Sequence, residues 1–135
     1  MFKMDSPRKV ARTGVWLIVL VGVIHLAVIP EYFAEAAYVG LLFLANAVGA
    51  GISAYGIRRG AGWGWALGTL ISVASFVGYI VSRTVGLPRA PGILREGFFD
   101  PPGLVILALE ALFIALCLKV IAQRGGAGRN AGFPR

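Results

Sequence analysis

The sequence contains one cysteine, Cys117, one histidine, His25, and six acidic residues against thirteen basic ones. A single cysteine excludes an intramolecular disulfide and any cysteine-based metal cluster. Cys117 lies inside an apolar run and reads as a small packing residue. Charged residues make up only 14% of the chain and hydrophobic ones 58%, too little charge to cover the surface of a water-soluble domain of 135 residues. No Ser-His-Asp order, Cys-His pair, HExxH or Walker signature is present, which points away from a hydrolase or an ATPase. The net charge of +7 is not interleaved with exposed aromatics, so nucleic acid is not the expected partner.

What the chain does have is long uncharged windows. Crossing about 30 Å of hydrocarbon takes about 20 helical residues. Four such windows occur, at about 14–30, 36–57, 62–82 and 102–121. Helices are the expected form, because a few hydrophobic strands cannot close a barrel and satisfy their backbone in lipid. The predicted fold is an all-α, up-down bundle of four transmembrane helices over residues 14–122, flanked by a basic N-terminus (1–13) and a disordered tail (123–135). The tail contains a glycine run that is no phosphate loop, since neither a preceding strand nor a Lys-Ser/Thr accompanies it.

Orientation follows from lysine and arginine. Ten of the thirteen basic residues fall on one side: Lys3, Arg8, Lys9, Arg12, Arg58, Arg59, Lys119, Arg124, Arg129 and Arg135. Arg83, Arg89 and Arg95 fall on the other, beside Glu31, Glu35, Glu96 and Asp100. Both termini are therefore expected in the cytoplasm. A competing reading treats the N-terminus as a signal peptide, with an apolar core from Val15 to Ile29 and an A-x-A-like site at Ala34-Glu35-Ala36. Against it, Tyr32 and Phe33 suit an interfacial turn.

Association of helices in lipid relies on small residues and a few hydrogen bonds. Ala45, Gly49 and Ser53 on the second span match Gly64, Gly68 and Ser72 on the third, so these two are expected to pack closely through the short link at residues 58–60. Trp63 and Trp65 are placed at the membrane boundary as anchors. Pro30 is expected to end the first span. The stretch from Arg83 to Pro101, rich in proline and glycine, reads as an extended, kinked loop folded over the bundle mouth.

Few polar residues remain inside the spans. His25 lies roughly 7 Å, and Glu110 roughly 12 Å, below the outer boundary, with Asn46 near the midplane. A carboxylate at that depth costs about 2.5–3.5 kcal/mol, so Glu110 should face the bundle interior and find a partner or stay protonated. His25, Asn46 and Arg83 are candidate partners. The alternative for Arg83 is an interfacial anchor pairing with Glu35 or Glu96. Ser72, Ser75, Tyr79 and Ser82 form a polar stripe on the third span that could line the same cavity or serve packing.

On the outer side the motifs His25-x4-Pro30-Glu31-x-Phe33, Gly40-x-x-Phe43 and Ser82-Arg83-Thr84-x-Gly86-Leu87-Pro88 stand out. Together they resemble a family of small four-helix membrane proteins of bacteria such as actinobacteria and chloroflexi, over about residues 14–122. The resemblance implies a bacterial cytoplasmic membrane location and one outer-facing site that includes Glu31 as well as His25 and Arg83. It implies no activity or cofactor.

Three functions fit these residues. The first is a binding or accessory protein holding a small hydrophobic or anionic molecule in a pocket around His25, Arg83 and Glu110, or supporting a homodimer or larger complex. The second is a proton-coupled transporter acting as a dimer, similar to small multidrug-resistance proteins in size and in its membrane carboxylate. The third is a quinone- or haem-type membrane oxidoreductase component, where one histidine would require a dimer for bis-His ligation.

Overall fold

The computed structural model describes residues 6–130, with side chains through residue 125. Five helices follow in order: α1 (Pro7–Glu35), α2 (Ala37–Arg58), α3 (Gly62–Thr84), the short α4 (Pro91–Glu96) and α5 (Pro101–Asn130). No strand occurs among the described residues; one isolated bridge joins Leu87 and Ala90. The four longer helices are each long and apolar enough to cross a membrane, α5 over Pro101–Gly125. Leu20, Val23, Leu42, Leu70, Leu112 and Leu118 point outward from them. Such a surface would aggregate in water but suits acyl chains.

The helices form a closed ring: α1 packs on α2 and α5, and α3 packs on α2 and α5. One end of the ring is basic. Arg8, Arg12 and Arg58 surround a shallow recess there, and Arg124 reaches Gly62. The opposite end holds the α1–α2 turn, α4 and the start of α5.

Local chemistry explains where α1 begins, and it corrects where α1 was expected to end. Ser6 caps the helix by accepting from the Lys9 N–H at 3.4 Å, and Pro7 follows at a position where no donor is missed. Pro30 does not end the helix, which continues to Glu35. A proline in a membrane helix removes one hydrogen bond, and neighbouring helices tolerate the break. At 29 residues α1 is roughly 43 Å long and exceeds the hydrocarbon thickness. A single extended residue, Ala36 (φ −159°, ψ 130°), then reverses the chain into α2. Phe33 lies across Gly40 at this turn, where a Cβ would collide with its ring.

The α2–α3 link turns on Gly60 at φ 73°. Beyond it the two helices touch backbone to backbone. A Cβ on Gly64 would sit 2.6 Å from the Gly56 carbonyl carbon, and Ser53 Oγ donates to the Gly64 carbonyl at 2.7 Å. The expected small-residue stripe is thus closest at Ser53, Gly64 and Gly68. Gly49 meets Ile71 more loosely, and Ala45 is exposed. The core cluster of Ile18, Ala50, Ala54, Ile57, Phe113 and Cys117 fills this half of the ring. Trp63 is half exposed, as an anchor would be, but Trp65 turns inward onto Gly14 and stacks on Phe113 at 5.7 Å.

Two further expectations are corrected. The stretch between α3 and α5 is not a plain loop, since Pro91 starts the one-and-a-half-turn helix α4. The last helix does not stop near Ile121; it runs to Asn130, so residues 123–130 are helical, and 131–135 lie outside the described residues. Glycine lowers helix propensity by about 1 kcal/mol but keeps its backbone donor, and no proline intervenes before Pro134.

Candidate functional site

A cavity of about 330 Å³ opens inside the ring at the α4 end. Its wall is chiefly apolar, with contributions from Val28, Leu42, Phe43, Ile71, Ile106 and Leu107. Polar groups enter at two levels, a deep one and one beneath the covering segment.

The deep level holds Glu110, His25, Asn46 and Ser75, from α5, α1, α2 and α3 respectively. Glu110 is fully buried at 0% exposure, and among the described residues neither carboxyl oxygen has a hydrogen-bond partner. Ser75 approaches it without completing a bond. Asn46 Oδ1 is likewise buried and unpartnered. His25 is better provided for. Its Nδ1 lies 2.8 Å from the Val21 carbonyl, which can only accept, so Nδ1 carries a hydrogen. In the neutral ring Nε2 is then left to accept from the Ser75 hydroxyl at 3.4 Å. Phe43 flanks the ring at 5.1 Å and stacks on Tyr32 at 4.2 Å.

Arg83 organises the upper level. Its side chain is only 2% exposed, and every nitrogen is engaged. Nη2 pairs with Glu96 at 2.8 Å and Asp100 at 3.3 Å and donates to Tyr32 Oη at 3.3 Å. Nε donates to the Gly97 carbonyl at 2.9 Å, Nη1 donates to Ser82 Oγ at 3.2 Å, and the guanidinium lies 4.8 Å from the Tyr79 ring centre. One cation on α3 therefore fastens α4 and the start of α5 across the cavity. Burial holds the Glu96 carboxyl above its usual range, although Arg83 pulls the other way. Asp100 also accepts from the Gly103 N–H at 2.9 Å, which caps α5.

The rest of the cover is tied down independently. Gly86 (φ 86°) and Arg89 (φ 56°) turn the chain back, and Tyr38 Oη donates to the Pro88 carbonyl at 2.7 Å. Ala90 and Ile93 bury their side chains against Tyr32 and Val39. Glu35 accepts from the Gly92 N–H at 2.6 Å, and any Cβ at Gly92 would collide with that carboxylate.

Of the five residues singled out from the sequence, the structure brings His25, Asn46, Arg83 and Glu110 to one cavity. Glu31 is exposed and does not line it. Arg83 pairs with Glu96 and Asp100, and not with Glu35 or Glu110. From the serine stripe Ser75, Tyr79 and Ser82 line the cavity, whereas Ser72 is buried outside it. Sequence reasoning overlooked Asp100 and Tyr32 as partners of Arg83. The only signal was acids and tyrosines clustered at the ends of helices that share one mouth. Among the described residues no group of three or more His, Cys, Asp or Glu could hold a metal ion.

Comparison of the chain with protein-family models, with curated proteins and with solved structures finds no match. Function is therefore read from the cavity itself.

Proposed function

We propose that this chain is a binding or accessory protein of a bacterial cytoplasmic membrane, holding a small hydrophobic molecule in the covered cavity. The observation that carries this reading is Glu110. A carboxyl with both oxygens unpartnered, on an apolar cavity, is costly unless something occupies the space beside it. An anionic occupant has less support than a neutral or cationic one, because the Arg83 guanidinium is consumed by Glu96 and Asp100. The charge asymmetry supports an orientation with both termini in the cytoplasm and the cavity in the outer half. The outer-side motifs support kinship with the small four-helix bacterial family.

Glu110→Gln and His25→Ala are the test. Both variants should insert with unchanged helical circular dichroism yet lose small molecules that co-purify with the wild type, read by mass spectrometry of solvent extracts. Equal retention in all three proteins removes the cavity from the function. Glu110 and His25 lining one cavity also suit a proton-coupled transporter acting as a dimer. In that case liposomes should accumulate substrate only under a pH gradient, and Glu110→Gln should abolish uptake.

A further inference from the structure

The register of α2 against α3 changes character along its length. From the α2–α3 turn upward, Gly56 faces Gly64, Ser53 faces Gly68, and Gly49 faces Ile71. Each three or four residues further on, α2 and α3 present Ala45 and Ala74, then Leu42 and Gly78. All four line the cavity and all four are exposed. A Cβ on Gly78 would meet nothing within 4 Å. The wall between α2 and α3 is therefore open at cavity height, on a side of the ring that faces acyl chains. The top of the cavity is closed by the Arg83 latch and by Ile93, so the gap between α2 and α3 is the route with fewer bonds to break.

The acceptors inside have a matching count. Glu110 Oε1, Glu110 Oε2 and Asn46 Oδ1 are unpartnered, buried and on the cavity. That makes three acceptors without a completed hydrogen bond, in a chiefly apolar wall where Ser75 approaches Glu110. A primary ammonium offers three N–H donors and a positive charge. A hydroxyl offers one donor and no charge. The local field agrees. Arg83 is offset by Glu96 and Asp100, so its charge does not stand against a cation, and Glu31 and Glu35 lie at the same end.

We propose that the cavity takes up lipophilic primary amines laterally from the bilayer, between α2 and α3, and seats the ammonium group on the Glu110 carboxylate with Asn46 as a further acceptor. This rests on the binding reading above and names its ligand class. The alkyl tail trails through the gap past Ala45, Ala74 and Gly78 into lipid, so the cavity needs to enclose only the head and the first few carbons. Dispersion against Val28, Phe43 and Ile106 holds that buried part.

The test uses the full chain in phosphatidylcholine nanodiscs with radiolabelled dodecylamine and dodecanol, binding to protein-free nanodiscs being subtracted. Dodecylamine should bind at least about tenfold more tightly than dodecanol, the margin of a charge-assisted hydrogen bond. Glu110→Gln should bring the amine down to the level of the alcohol. Gly78→Phe, which leaves Glu110 in place, should slow association of the amine by about tenfold or more, as a ring fills the gap. Equal affinity of amine and alcohol in the wild type overturns the amine assignment while leaving a hydrophobic-binding protein standing, and that comparison needs no variant to fold. Unchanged association in Gly78→Phe overturns the lateral route. Absence of binding by either molecule overturns the inference, and the retention experiment above then decides separately whether the cavity holds anything else.

Discussion

The two halves of the bundle are built on opposite principles. At the basic end α2 and α3 approach through Gly56, Gly64 and Gly68, Ser53 bonds the facing backbone, and Phe113 is fully buried against Gly68 and Trp65. At the α4 end the same two helices line a cavity with unpartnered acceptors, and a buried arginine holds a cover over it. Close packing is what holds membrane helices together, so the first half supplies cohesion. The second half tolerates poor packing and uncompensated polarity because the first half holds the ring closed. Cost without local compensation is a mark of a functional region.

The contrast can be broken from either side, and the largest effect should come from the packed half. Gly64→Leu forces a side chain into the space held by Gly56 and Ile57, and should destabilise the folded protein by about 3 kcal/mol or more, at the upper end for overpacking. Reversible unfolding in mixed detergent micelles would show it, and a loss under about 1 kcal/mol would falsify the close-contact account.

Next in size is a change of opposite sign. Glu110→Leu removes an unpartnered buried carboxyl and should stabilise the protein by about 2 kcal/mol in the same assay, while abolishing ligand retention. Greater stability with retention intact would separate Glu110 from the site. Arg83→Gln should cost about 2 kcal/mol. That is below the loss usual for a broken buried pair, because Glu96 and Asp100 keep 31% and 17% side-chain exposure. Its signature is local: amide exchange over Pro91–Glu96 should speed up while α2 and the first turns of α3 stay protected. The smallest effect is Ser53→Ala, about 0.6 kcal/mol, the typical worth of an interhelical hydrogen bond in a membrane protein.

Much of this architecture was readable because lipid imposes simple demands. Four uncharged windows had to be helices, and a small-residue stripe had to mark a close contact. Glu110, His25 and Asn46 had to turn inward, since each is expensive against acyl chains. The reading failed where context overrides a local rule. Pro30 ends helices in water, yet here α1 continues for five residues beyond it. Trp65 resembled an interfacial anchor by position alone, whereas Gly14 provides the space that draws it inward. The choice of Glu96 and Asp100 as partners for Arg83, rather than Glu35, depends on how the segment from Gly86 to Gly97 folds. That is set by two positive-φ glycines and by the Glu35–Gly92 contact, and helical periodicity carries no trace of it.

The one-residue reversal at Ala36 bears on biogenesis. In the proposed orientation, with no polar loop between the first two membrane segments, only a short patch around Glu31 and Glu35 would have to be carried across during insertion. The pair is therefore suited to partition from the translocation channel as a preformed hairpin, ahead of the rest of the chain. An epitope spliced between Glu35 and Ala37 should block that step, whereas the same epitope after Arg59, where the turn is wider, should be accepted.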